Sequence, residues 1–207
     1  MASLYDRFVL PKLLGCACGS RPIMRQRAKV VPRAEGRVLE LGIGMGLNLA
    51  FYDPEKVSAV IGVDPAAELR AAALAAPRDP RLSVNVEDGD AEALPFAAAS
   101  FDSVVCTFTL CSVCTPAKAL AEARRVLKPS GRLLFCEHGL APDPGVAKWQ
   151  RRIEPFWKRI AGGCHLTRPI GGAIAAAGFR IEDSDRMYVP KTPKIAAWNE
   201  WGSARIA

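Results

Sequence analysis

Along this chain, short runs rich in β-branched and other apolar residues alternate with longer stretches of helical period. Residues 38–41 read as a short buried strand, followed by a glycine-rich turn at 42–46 and a helix from about Leu47. A second strand over 58–63 ends in Asp64, and a helix over 66–75 is closed by Pro77 and Pro80. A third strand is expected over 82–87, a loop over 89–96, and a β-branched strand over 102–109. The helical period of 116–127 stops at Pro129-Ser130-Gly131, ahead of a fifth strand over 132–137. Strand–helix alternation of this kind predicts an α/β domain, a parallel sheet with helices on both faces.

The ends of the chain differ from this middle. Residues 1–35 read as one or two helices joined near 15–20. Val146, Trp149, Ile153, Phe156 and Ile160 recur at helical spacing, opposite Lys148, Arg151, Arg152, Lys158 and Arg159. Pro155 should kink or break that helix. A helix over 169–177 ends at Gly178, and two strands, 179–189 and 194–206, form a terminal hairpin that adds an antiparallel strand. One domain over 1–207 results: an N-terminal helical lid at 1–35, a core at 36–138, and acceptor-side helices with the hairpin at 139–207.

The turn Gly42-Ile43-Gly44-Met45-Gly46 lies where the first strand ends, and open α/β sheets bind ligands at that edge. Glycine lets backbone turn tightly and approach a ligand. Leu47 stands where a dinucleotide fingerprint has its third glycine, which disfavours an NAD-dependent oxidoreductase. Asp64, about 20 residues further on, can accept two ribose hydroxyls. Asp90, in Gly89-Asp90-Ala91 after the third strand, can accept from an adenine amino group. A surface-crevice position would make Asp64 nearly dispensable for stability. Either acid alone could be a helix N-cap; three sites behind three successive strands form a pattern.

These motifs resemble class I methyltransferases of the type-11 group. VLELGIGMG is similar to that family's first motif, GDAEALPF to its adenine loop, FDSVVCTFTL to its fourth-strand motif, and RVLKPSGRLLFCEH to the helix, turn and fifth strand that follow. The resemblance spans Gly36 to His138. It implies a doubly wound, Rossmann-like, seven-stranded, mainly parallel sheet with an antiparallel last strand, and S-adenosyl-L-methionine as cofactor, with S-adenosyl-L-homocysteine as product. The implied cofactor contacts are Glu40, Gly42, Gly44, Gly46, Asp64, Pro65, Asp90, Ala91 and Thr107, with Tyr5 closing from the lid. CTFTLCSV, FCEH, EPFWKRIAGGCHLTR and YDRFVLP resemble, more narrowly, the animal alkyl-thiol methyltransferases and their bacterial relatives. Those animal enzymes carry an N-terminal hydrophobic anchor. Here MASLYDRFVLPKLLG is broken by Asp6, Arg7 and Lys12, so neither a signal peptide nor a membrane span is expected.

Transfer from a sulfonium to a neutral acceptor requires a proton to leave, which makes His138 and His165 the candidate catalytic residues. His138 ends the fifth strand at the ligand edge; His165 follows Gly162-Gly163 in a turn. The seven cysteines read as free thiols in a reducing cytoplasm. Neither Cys16/Cys18 nor Cys111/Cys114 has a partner pair at zinc-finger spacing, so no metal is expected. Cys111, Cys136 and Cys164 end segments that approach the pocket.

Hydrophobic residues make up 50% of the chain, which excludes a disordered polymer. The net charge of +7 permits weak contact with an anionic membrane surface. Nucleic acid is not expected as a partner, since no aromatic-rich basic strand or recognition helix stands out. The leading expectation is S-methylation of a small thiol. Alternatives are N-, C- or O-methylation of a lipid head group or quinone, and a nucleotide-binding module without catalysis. Oligomeric state is not legible.

Overall fold

A computed structural model describes residues 15–207. Helix α1 (Arg21–Arg27) leads into β1 (Gly36–Leu41), β2 (Val57–Asp64), α2 (Ala67–Ala75), β3 (Val84–Asp88) and β4 (Phe101–Thr107). Then come α3 (Pro116–Val126), β5 (Leu127–His138), α4 (Pro144–Ile160), α5 (Ile170–Ala176), β6 (Phe179–Tyr188), the short α6 (Lys194–Ala197) and β7 (Trp198–Ile206). They build a seven-stranded sheet in the order β3-β2-β1-β4-β5-β7-β6. β1 to β5 pair in parallel, while β7 runs antiparallel to both of its neighbours. The doubly wound sheet expected from the sequence is the fold observed.

Strand periodicity divides the core. Leu39, Leu41, Val104, Leu133 and Phe135 pack on one face against Leu120 and Ala123 of α3 and Ile174 of α5. Their alternates, Val38, Val105, Leu134 and Cys136, pack on the other face with Ala73 of α2 and with Val30 and Val31. Strands buried on both faces read as unbroken apolar runs, as they do here. The chain reverses direction of winding between β1 and β4, so a crevice opens above their carboxyl ends.

Four expectations change, the first being that residues 194–197, expected to open the last strand, form α6 instead. The helix from Leu47 is only a 3-10 turn, Leu49–Phe51. Asn48 turns its side chain into the core instead of outward, and Pro54 keeps Asp53 from helical geometry. Pro155 does not end α4, which runs through it. The carbonyl it cannot pair, on Arg151, lies on an exposed residue where water can serve it. Finally, the apolar stripe of α4 is not its buried face. Trp149 and Phe156 are 54% and 71% exposed, while Ala147 and Gln150 are buried. Gln150 explains the choice: its amide bridges Ala141 N–H and the carbonyls of Gly139 and Ile195. No described helix is long and apolar enough to cross a membrane.

Candidate active site

At the carboxyl edge of β1, β2 and β4 lies a mainly apolar cleft of about 470 Å³. That is within the size range of small-molecule sites. Gly42, Gly44, Asp64, Pro65, Asp90, Ala91, Thr107 and His138 all line it. The sequence therefore anticipated most of one wall. Tyr5 lies outside the described residues.

Gly42, Gly44 and Gly46 all have positive φ, but they do different work. A Cβ on Gly44 would have only the Gly42 carbonyl within 4 Å, at 3.9 Å, so its backbone faces open cleft. A Cβ on Gly46 would stand 2.8 Å from the Ala76 Cβ and 3.1 Å from the Ala73 Cα. Gly46 is thus a packing glycine against α2 and does not line the cleft. Only Gly44 has the open backbone that a ligand needs.

Asp64 ends β2. Its Oδ2 accepts from Gly44 N–H at 3.0 Å and its Oδ1 from Ala66 N–H at 2.9 Å. Burial pushes its pKa up, and the two backbone donors pull back only part of that shift. The carboxylate therefore ties the turn to β2 and still has lone pairs free for ligand hydroxyls. An acid expected to matter only for binding is also a clamp. Asp90 forms an Asx turn with Glu92 N–H at 2.9 Å, leaving its other oxygen exposed beside Ala91.

Glu40 does not reach the cleft. It is buried behind the wall, its oxygens taken by Asn48 Nδ2 at 2.9 Å and the Tyr52 hydroxyl at 2.7 Å. Burial raises its pKa to about 7, against those hydrogen bonds and the nearby Arg27. Arg27, which the sequence did not single out, is buried and lines the cleft. It donates to Asn48 Oδ1 at 3.0 Å and Thr107 Oγ1 at 2.6 Å, and lies 4.9 Å from the Phe108 ring centre. Its partners are up to 80 positions away in sequence, so no local pattern could have marked it.

Two loops complete the opposite wall. After β4, Phe108 takes φ +54 and the chain wraps over buried Glu137. The Glu137 carboxylate accepts N–H groups from Thr109 at 2.7 Å, Leu110 at 3.0 Å and Cys111 at 3.3 Å. Arg168 donates to the Leu110 and Val113 carbonyls of the same loop. The second loop, after α4, is held by Glu154, whose Oε2 accepts from Leu166 N–H, Thr167 N–H and Thr167 Oγ1 at 2.7–2.9 Å. His165 N–H donates to the Cys111 carbonyl at 2.7 Å and docks one loop on the other.

The two candidate histidines separate here. His165 turns its Nδ1 to Glu154 at 3.1 Å and does not line the cleft, so the structure gives it a loop-anchoring contact in place of the expected catalytic one. His138 does line the cleft, with Nε2 2.8 Å from Cys164 Sγ. Burial disfavours its imidazolium, but the Cys164 sulfur and Glu137 more than offset this and raise its pKa. Cys111 and Cys164 reach the cleft as expected; Cys136 points to the other side of the sheet, toward Asn199. Cys18 and Cys114 also line the cleft.

Comparison with known proteins bears on the family and the fold. A family profile described as a methyltransferase domain matches residues 39–135. The chain is 40% identical over 147 residues to the thiol S-methyltransferase TMT1B of Rattus norvegicus, covering 70% of this chain and 60% of that protein. It is 33% identical over 175 residues to the human thiol S-methyltransferase TMT1A, covering 84% of this chain and 72% of that one. The chain thus spans about 60% of the length of the rat relative. Among solved structures, a Thermotoga maritima protein titled a SAM-dependent methyltransferase superposes with TM-score 0.69, 23% identity and 98% coverage of both chains.

Proposed function

The chain belongs to the S-adenosylmethionine-dependent methyltransferases, and from that premise we propose that it transfers a methyl group to the sulfur of a small thiol. The similarity to thiol methyltransferases supports this most directly, because it reaches past the cofactor motifs to 84% of the chain. S-adenosylmethionine supplies an activated methyl on a sulfonium, so the protein's task is orientation and exclusion of water.

In this reading the open backbone at Gly44 and the carboxylate of Asp64 hold the cofactor's amino-acid and ribose parts, with Asp90 and Ala91 at the adenine. The acceptor lies against the wall formed by Phe108, Cys111, His138 and Cys164. A thiol of pKa near 8.5 is a few per cent ionised at about pH 7. The Arg27 guanidinium in the cleft wall favours the thiolate. His138, in the cleft wall, has its Nε2 against Cys164 Sγ and its buried Nδ1 without a hydrogen-bond partner, so no acid orients its ring by a hydrogen bond, and for a thiol no strong base is needed. An alcohol acceptor would demand one.

The test is methyl transfer from labelled cofactor to small alkyl and aryl thiols, beside ethanolamine lipids and quinols. Turnover on thiols is expected. Turnover on a lipid amine or quinol with none on any thiol overturns the assignment.

A further inference from the structure

Cys111, His138 and Cys164 converge where the two loops meet the end of β5. One ligand atom from each lies within 4.8 Å of the others. All three line the cleft, while Trp157 of α4 packs against the cluster of Cys111, Ala161 and Cys164. We propose that these three side chains bind one Zn²⁺ ion whose fourth position faces the cleft and takes the acceptor thiol. The last clause rests on the thiol reading above; the metal site does not.

The donor chemistry carries the choice of ion. Two sulfurs and one imidazole are a soft to borderline set, which suits Zn²⁺ and is wrong for Ca²⁺ or Mg²⁺. Three protein ligands with an open position are the pattern of reactive zinc sites, whereas purely structural sites are closed by a fourth protein ligand. Charge also balances. Two thiolates and a neutral imidazole around a dication leave a site of no net charge, which a buried position tolerates. Binding then releases the two thiol protons.

The geometry needs only a small adjustment. His138 Nε2 and Cys164 Sγ are 2.8 Å apart, and tetrahedral zinc would hold such a pair at about 3.6 Å. Cys164 follows Gly162 and Gly163, both at positive φ, in a loop whose anchors are at Glu154 beyond it. A rotamer change at Cys164 opens that gap. Cys111, by contrast, is pinned through its N–H to Glu137 and through its carbonyl to His165. The site therefore has two ligands on anchored backbone, Cys111 in the loop over Glu137 and His138 at the sheet-paired end of β5, and one that closes on the ion.

In the reaction, the acceptor R–SH gives its proton to water as its sulfur takes the fourth position. A sulfur lone pair attacks the methyl carbon. The new S–CH₃ bond forms as the methyl–sulfonium bond breaks, its electron pair returning to the cofactor sulfur. The neutral thioether is a weaker metal ligand than the thiolate and leaves.

The experiment is equilibrium dialysis of the reduced full chain against zinc, with no methyl donor present. One ion per chain is expected, with affinity at least 100-fold weaker in Cys111→Ser and Cys164→Ser and unchanged in Cys16→Ser, an exposed thiol that does not line the cleft. Co²⁺ should give a thiolate-to-metal charge-transfer band that the Cys111→Ser/Cys164→Ser double variant lacks. Thermal unfolding checks each variant, and His138→Gln stands in if a serine variant does not fold. A wild-type chain that binds no zinc at micromolar free metal overturns the site, as does undiminished binding by the double variant. Full thiol turnover by demetallated enzyme overturns the metal's part in the reaction and leaves thiol methylation standing. Zinc bound with no turnover on any thiol removes the acceptor clause and leaves the site.

Discussion

Asp64 carries two duties, and the balance between them can be measured. Replacing it by Ala removes one or two charge-assisted hydrogen bonds to the cofactor, about 1.5–3 kcal/mol each. S-adenosylmethionine affinity should fall at least tenfold by calorimetry. The same change strands the Gly44 and Ala66 N–H groups, so stability should fall by about 1–3 kcal/mol as well. A variant with wild-type affinity and wild-type melting would show that neither duty is real. Glu40 offers a pH test. Its folded pKa of about 7 lies above the 4.5 of a free glutamate, so the native state holds a proton that the unfolded chain has lost. Its contribution to stability is greatest below the unfolded pKa and is lost as pH rises through the folded one. Glu40→Gln, always neutral, should gain on the wild type by up to about 3 kcal/mol between pH 4.5 and 7. Denaturant midpoints of the two proteins that run parallel across that window would refute the assignment.

At the scale of elements, the loop from Ala161 to Arg168 depends on one side chain. Glu154, on α4, takes two backbone N–H groups, a hydroxyl and a histidine ring. These partners hold its carboxyl below the usual range, although burial pushes the other way. Glu154→Ala should cost about 1–3 kcal/mol of stability through its stranded donors. Hydrogen exchange at Leu166 and Thr167 should quicken most, since they lose their acceptor directly. Protection unchanged at those two amides would mean that the loop is held some other way. The helix that supplies Glu154 also shows why amphipathic pattern alone misleads. Its apolar stripe is exposed at Trp149 and Phe156, because a neighbouring face carries Gln150 and Glu154, which satisfy seven backbone groups or side chains of other segments. Polar groups with fixed partners outrank apolar area when both cannot be buried.

For the whole molecule, binding at the sheet edge should appear as added stability. A ligand at about 100 times its dissociation constant contributes about 2.7 kcal/mol, or roughly 5–10 °C in a domain of this size. Both S-adenosylmethionine and S-adenosylhomocysteine should raise the melting temperature in a concentration-dependent way, and NAD should not. A shift with NAD alone would reverse the reading of the glycine turn.

Most of the fold was legible because it rests on local pattern. Apolar runs of strand length, breaks at Pro129-Ser130-Gly131, and the order of Gly44, Asp64 and Asp90 behind three strands depend on near neighbours in sequence. The parallel sheet and one wall of the cleft follow from them. What the sequence could not reveal are the contacts that span the chain. Arg27 meets Thr107 across 80 positions, and His138 meets Cys164 across 26. A Cys–Cys–His cluster is recognised in sequence by short spacing, and here Cys111, His138 and Cys164 are far apart, joined only by the docking of two loops over Glu137 and Glu154. The same docking took His165 out of the cleft and left His138 in it, although the two looked equivalent as letters. Local pattern settles which elements form, because helix and strand periods are short; which side chains meet at the site depends on how those elements pack, and that was decided only in three dimensions.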